Sequence, residues 1–315
     1  MSVAVAATEP TRTRRRARPA VVLPVAAAAL LSGLLLAHRW VPGSAGSGLD
    51  SALPWLAAPI LALLATTILL RRPAAVVAAL APVVLWTLMF GPNLVDRADA
   101  GPHDLRVASL NLGAATVESA LDPVLSAAPD LIVLQEITAA NRPAVTARLG
   151  DVYPFHANAG TVAVFSRLRL SDTEPVDIQI GWTRALRTTV SAPSGPVRVY
   201  AAHLASARAG RTAGRNRTLT ALADVVRADP APRLLLAGDL NTATTDRHFD
   251  VLAPLTDTQQ EAGAGFGFTW PAGAPVVRPD HLLQRGMTTR HAWVIDAPGS
   301  DHRAVLADLD SADRK

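Results

Sequence analysis

The chain has no cysteine among its 315 residues, a single lysine at Lys315, and an aromatic share of only 4%. Without cysteine there is no disulfide scaffold and no thiolate-held zinc. An oxidising compartment would therefore pose no thiol problem. The sequence also lacks an HExxH zinc motif, a Walker A loop and any internal repeat at solenoid periods. Because aromatics are scarce, the 50% hydrophobic content is aliphatic, mostly Ala, Leu and Val. That much apolar surface excludes disorder over the whole length, and the length permits one or two domains.

Acidic residues are scarce only in the first third. Residues 1–95 hold eight arginines against Glu9 and Asp50, a balance of +6, while residues 96–315 come to −2. The formal charge of +4 thus belongs to the N-terminal third. The near-absence of lysine points to a coding bias toward Arg, which weakens any argument from Arg frequency alone.

That same third contains three uncharged apolar runs, Ala20–Ala37, Ser51–Leu70 and Pro73–Phe90. Each is long enough to cross a hydrocarbon core as a helix. Pro24, Pro54, Pro59, Pro73 and Pro82 are better tolerated there than in a helix in water. Trp40, Trp55 and Trp86 sit toward run ends, as interfacial aromatics do. One run after an Arg-rich start would read as a signal peptide; two more within 55 residues turn the reading to an anchor. Arg12, Arg14, Arg15, Arg16 and Arg18 precede the first run and Arg71–Arg72 separate the second from the third, whereas only Arg39 lies between the first two. The positive-inside rule then predicts a cytoplasmic tail over residues 1–19, three spans within 20–95, and everything beyond on the outer face of the plasma membrane.

A polar linker, residues 96–103, leads into 104–315, where short β-like runs alternate with helix-like stretches. Predicted strands are Leu105–Leu110, Leu131–Leu134, Thr161–Phe165, Leu186–Val190, Val197–Ala202, Leu234–Ala237, His281–Leu283, Thr289–Ile295 and Ala304–Leu309. Predicted helices are Val117–Ala127, Ala139–Leu149 and Thr218–Arg227. The pattern fits one mixed α/β domain with substantial sheet.

Six apolar strands end in, or begin beside, a carboxylate, amide or imidazole: Asn111; Gln135-Glu136; His203; Asp239-Leu-Asn241; Asp280-His281; and Ser300-Asp301-His302. Any one of these reads as a turn former or helix cap. Together, on strand ends that meet along one rim, they make an inventory of hard-metal ligands and acid–base groups. Arg208, Arg211, Arg215 and Arg217 follow His203 into a helix, where they suit either an anion site or a solvated loop.

The order of these motifs, Asn111, Leu-Gln-Glu136, Gly-Asp239-Leu-Asn241, Asp280-His281 and Ser-Asp301-His302, resembles the endonuclease/exonuclease/phosphatase (DNase I-like) superfamily over roughly residues 104–310. The resemblance implies an α/β/β/α sandwich of two packed sheets and divalent-metal hydrolysis of a phosphate ester or anhydride. It implies Glu136 as the main Mg²⁺ (or Mn²⁺) ligand, with Asn111 beside it and Asp301 near the metal. It implies Asp239 orienting the attacking water or aiding the leaving group, Asn241 and His203 contacting the phosphate, and His302, paired with Asp280, contacting the phosphate and acting in proton transfer. Arg211 and Arg215 are further candidates for a substrate phosphate, and His281 reads as structural. The acidic partner that some members supply to the residue at the His203 position has no counterpart here, since Thr161–Arg167 contains no carboxylate.

A domain near −2 has no obvious nucleic-acid footprint. A site held outside a membrane lies near lipid head groups, so a membrane lipid or lipid-linked phosphate is the expected substrate. The expected activity is that of a membrane-anchored phosphohydrolase, with an extracytoplasmic nuclease or a non-catalytic membrane module as alternatives. No protein partner can be inferred. Three spans before such a domain also resemble bacterial membrane proteins of the teicoplanin-resistance type, an antibiotic-resistance class associated with cell-envelope lipid phosphates.

Overall fold

A computed structural model describes residues 19–99, 101–208 and 210–311. The Arg-rich stretch Arg12–Arg18, on which half of the orientation argument rests, lies outside the described residues. The chain forms two compact units: one holds the residues up to Leu36 and Trp55–Thr87, the other Ala37–Pro54 and everything from Leu88 onward.

The first unit is helical. Helix α1 spans Pro19–Ala37, and the chain later forms α2 (Gly43–Ala52), α3 (Ala57–Leu69) and α4 (Pro73–Phe90). By length and composition Val21–Trp40, Gly43–Leu69 and Pro73–Leu94 can each cross a membrane. Leu23, Leu30, Leu69 and Val77 expose 54% or more of their surface in every case, at 70%, 64%, 81% and 69%. The stretch expected as a loop between the first two runs is instead the short helix α2, whose Gly46, Ser47 and Asp50 are buried in the second unit.

The second unit carries two six-stranded sheets. The strands and helices in chain order are β1 (Leu105–Asn111), α5 (Val117–Ser126), β2 (Leu131–Gln135), α6 (Arg142–Leu149), β3 (Phe155–Ala159), β4 (Val162–Ser166), β5 (Leu170–Pro175), β6 (Ala185–Ala192), β7 (Gly195–His203), α7 (Ala213–Ala228), β8 (Leu234–Asp239), β9 (Thr256–Asp257), α8 (Thr258–Ala262), β10 (Asp280–Arg285), β11 (Met287–Ile295) and β12 (Ala304–Ser311). One sheet runs β11-β12-β1-β2-β4-β3 and the other β5-β6-β7-β8-β10-β9.

Burial on both faces explains the unbroken apolar strands. Val107, Leu131, Val133 and Val164 point into the layer between the sheets, where they join Leu186, Val199, Leu235 and Leu282. Their neighbours Ala108, Leu110, Ile132 and Leu134 point outward against a helical stripe of Ala120, Leu121 and Val124 on α5. On the opposite side Tyr200, Leu234 and Leu236 meet Leu219, Leu222 and Val226 of α7. The i, i+3, i+7 spacing on α7 is what turns one apolar face to the sheet. The result is the α/β/β/α sandwich the sequence implied.

The predicted helix over Ala139–Leu149 begins only at Arg142, where Pro143 suits the first turn, and the one over Thr218–Arg227 is longer at its start. Strands β3, β5 and β9 had no counterpart in the sequence reading.

Candidate functional site

The central strands of both sheets deliver the site. Parallel pairing of β7 with β8 sets His203 opposite Asp239, and antiparallel pairing of β8 with β10 sets Asp280 opposite Asp239. In the other sheet β1 ends at Asn111 and β2 at Gln135, paired in register, and Glu136 follows at a φ of +61°. Ser300 binds the two ends together: its hydroxyl donates to the Asn111 carbonyl (2.7 Å) and accepts from the His302 backbone N–H (3.0 Å).

Asp239 is the hub, only 2% exposed. The Asn111 amide donates to Asp239 Oδ2 (3.0 Å) and to Glu136 Oε1 (3.3 Å), so one buried amide bridges the two carboxylates. His203 Nε2 lies 3.5 Å and His302 Nε2 4.0 Å from the same Asp239 oxygen. His302 Nδ1 pairs with Asp280 Oδ2 at 2.8 Å, and the Thr269 hydroxyl donates to that oxygen at 2.5 Å. Asn241, at a φ of +49°, donates its backbone N–H to Asp239 Oδ1 (2.9 Å) and its amide to the Leu204 carbonyl (3.2 Å).

Environment separates the two imidazoles. Burial, with the nearby Arg184 and His302 charges, pushes His203 down to about 3, so it is neutral at pH 7. Burial also acts downward on His302, but the carboxylates of Asp280, Asp239 and Asp301 outweigh it and hold it up at about 9, as an imidazolium. Burial and the Asp280 charge push Asp239 up to about 7, against the pull of His302 and its own hydrogen bonds. Pairs of titratable groups driven apart in this way are the signature of divided acid–base roles.

Asp239, Asp280 and His302 each offer a ligand atom within 4.8 Å of the others. Glu136 and Asp301 stand outside that cluster. Glu136 is half-buried beside Asn111, and Asp301 is exposed, accepting from Trp270 Nε1 (3.2 Å). Asp301 still belongs to the rim: a Cβ on Gly113, two residues past Asn111, would sit 2.6 Å from its Oδ1. Carboxylate and amide oxygens suit a hard divalent cation. Asp280 Oδ1, buried with no hydrogen-bond partner among the described residues, is a spare acceptor within the cluster. The carboxylates of this rim therefore fit such an ion, whereas His302, held as an imidazolium, does not serve as one of its ligands.

Two arginine expectations part company. Arg211 is exposed and exchanges backbone hydrogen bonds with Arg208. Arg215 is 1% exposed and turned inward, so the expectation that it meets a substrate phosphate is corrected. Its guanidinium donates to Asp246 (2.6 Å), the Asn216 side chain (2.8 Å) and the Asn241 carbonyl (3.4 Å). A buried guanidinium needs a carboxylate, and Asp246 supplies it. His281 is fully buried, with Nε2 2.8 Å from the Thr242 carbonyl, in keeping with a structural role. His203 Nδ1 has no hydrogen-bond partner among the described residues, which agrees with the missing acidic partner.

Sequence reasoning missed Arg184. It is 9% exposed, stacks over Trp182 (4.9 Å), and its Nε has no partner among the described residues. Burial lowers its pKa, and the Asp239 and Glu136 charges oppose that shift. It is a desolvated cation facing the carboxylate cluster. Thr269, which fixes Asp280, was missed as well.

No curated protein sequence matches the chain. The fold is similar to that of D. rerio TDP2 humanized by 14 mutations (TM-score 0.56, 17% identity, 66% of this chain and 99% of that one). It is similar to a functionally unknown conserved protein from Enterococcus faecalis (0.56, 15%, 66% and 100%) and to an endonuclease/exonuclease/phosphatase from Bacteroides vulgatus (0.54, 14%, 67% and 100%). At these identities the similarity bears on the fold alone. The sequence profile of the endonuclease/exonuclease/phosphatase family matches residues 106–302, an interval that opens at β1 and closes on His302. With its motifs gathered on one rim of a two-sheet sandwich, the chain belongs to the endonuclease/exonuclease/phosphatase family.

Proposed function

We propose that the protein is a membrane-anchored, divalent-metal-dependent phosphohydrolase that cleaves a phosphate ester or pyrophosphate, lipid-linked, at the outer face of the membrane. The observation that carries this reading is the joining of three apolar helices to a phosphohydrolase-family domain through a linker of only about ten residues. A site tethered that closely to lipid works at a head-group surface. The −2 charge of residues 96–315 argues the same way, because polynucleotide binding draws on a basic footprint.

Glu136, with Asn111 beside it, would hold the metal, which supplies Lewis-acid polarisation of the phosphate. The remaining chemistry belongs to the chain. Asp239, pushed up toward neutrality by burial and Asp280, receives a proton from the attacking water. As the P–O bond to the leaving group breaks, His302, kept cationic by Asp280, gives its proton to the departing oxygen, and the Arg184 guanidinium faces the charge that develops on the phosphate oxygens. Neutral His203 and the Asn241 amide orient those oxygens by hydrogen bonding.

The test is phosphate release by the full-length protein in lipid vesicles, with and without Mg²⁺, from polyprenyl pyrophosphate, phospholipids and DNA. Metal-dependent release from a lipid phosphate is expected. Salt-sensitive cleavage of DNA alone would replace this reading with a nuclease. Absence of any turnover would leave a non-catalytic membrane module.

A further inference from the structure

We infer that Asp50 and Arg247 are positioning residues: the segment between the first two apolar helices grips the loop that carries Asn241 and holds that amide in place. Asp50, on α2, is fully buried, and Arg247 is 197 positions away. The Arg247 side chain is spent entirely on this segment. Its Nε and Nη2 reach the Asp50 carboxylate (2.7 and 3.0 Å), Nη2 also reaches the His38 carbonyl (2.7 Å), and Nη1 reaches the carbonyls of Arg39 (2.9 Å) and Val41 (2.6 Å). The Arg247 backbone N–H donates to Asp50 as well (3.0 Å), and His38 Nδ1 closes the cluster at 2.6 Å. Gly46 leaves the room, since a Cβ there would lie 2.1 Å from the Val41 carbonyl oxygen and 2.5 Å from Arg247 Nη2. Bidentate geometry of this kind gives direction as well as attraction.

The grip reaches the site in two steps. Asp246, next to Arg247, holds the buried Arg215, and Arg215 donates to the carbonyl of Asn241. Asp246 also holds the His248 ring (2.9 Å), which meets the Asn216 side chain (3.0 Å). Asn241 sits at positive φ, which asparagine tolerates better than most residues, and the Asp239 carboxylate holds its backbone N–H there. Residues 241–248 are thus fixed at one end by Asp239 and at the other by α2, a part of the chain outside the residues that match the family.

The inference rests on the proposed role of Asn241, so its test has two readouts. Full-length Asp50→Asn and Arg247→Met variants in detergent are compared with wild type by amide hydrogen exchange over residues 240–248 and by hydrolysis of bis(p-nitrophenyl) phosphate. Expected are faster exchange confined to that loop and a kcat lower by about tenfold with KM little changed, because small misplacements tell on the chemical step. The double variant should be no worse than Arg247→Met alone. Arg247→Lys, which keeps the charge but loses the two-pronged grip on Asp50, covers the case in which a charge variant fails to fold. Unchanged exchange together with wild-type kcat in Arg247→Lys and either charge variant overturns the inference. Faster exchange in the variants, with a wild type that hydrolyses nothing, would sink the phosphohydrolase reading and leave the grip standing.

Discussion

Residues decide the chemistry by the company they keep. Two buried histidines share a neighbour in Asp239, yet one is neutral and the other charged because only His302 touches a second carboxylate. Replacing Asp280 with Asn should let burial dominate, so the His302 pKa falls well below its value of about 9, a shift that an NMR titration of the imidazole resonances in metal-free protein would record. A His302 pKa still near 9 would place the source of the shift elsewhere. His302→Ala and Asp239→Ala should each cut phosphate release by about 10²–10⁴-fold, in the range of a lost acid–base group, without moving the unfolding temperature by more than a few degrees. Full activity in both would remove this rim from the mechanism. Most of these residues were legible because a polar side chain ending an apolar strand stands out. Arg184 was not, since it precedes its strand in an Arg-biased chain, and its meeting with Asp239 and Glu136 exists only after folding. Arg215 misled for a related reason: sequence does not show that Asp246, 31 positions on, claims its guanidinium.

At the scale of elements, long apolar strands were readable, the edge strand β11 among them, and the edges β3, β5 and β9 were not. β5 reads Leu-Ser-Asp-Thr-Glu-Pro, largely exposed, and β9 is two residues long, so neither carries an apolar signature. Their sheet membership comes from neighbours. β8 shows how tightly those neighbours constrain the site. Gly238 has a φ of +145°, and a Cβ there would lie 1.9 Å from the Ala202 carbonyl oxygen on β7. Gly238→Ala should therefore destabilise the fold by roughly 1–3 kcal/mol and displace Asp239, visible as lost activity and a lower unfolding temperature. At the edge of the same sheet, Asp257 ends β9, caps α8 and pairs with Arg278 (2.8 Å). Burial would raise its pKa, but the Arg278 charge and His281 prevail and hold it well below the usual carboxylate range. Its unfolded value is about 3.9, so its stabilisation is fully present above that pH and is lost as pH falls toward the folded value. Asp257→Asn should lower the unfolding temperature clearly at pH 7 and by less at pH 3. An equal loss at both would show that the ion pair is not the cause.

At the scale of the molecule, fold class and the three long apolar helices were legible because both rest on composition and period, while the two-unit division was not. Residues 38–50 looked like a connecting loop, yet 43–52 form α2 and Asp50 folds it into the unit that holds the site. That placement bears on topology. If α2 lies with the catalytic unit, the segment after the first apolar run and the segment after the third are on one side of the membrane, as three spans require, and the Arg71–Arg72 turn is on the other. Arginines at that turn favour the cytoplasm, so the expected arrangement is an outer-face site. A reporter fused after Lys315 should give an extracytoplasmic signal, and one inserted between Arg71 and Arg72 a cytoplasmic one. Signals of the same sign at both positions would mean that one apolar run does not cross. Opposite signs in the reverse sense would keep the three spans and move the substrate to the cytoplasmic leaflet, where the same strand-end chemistry would face inner head groups.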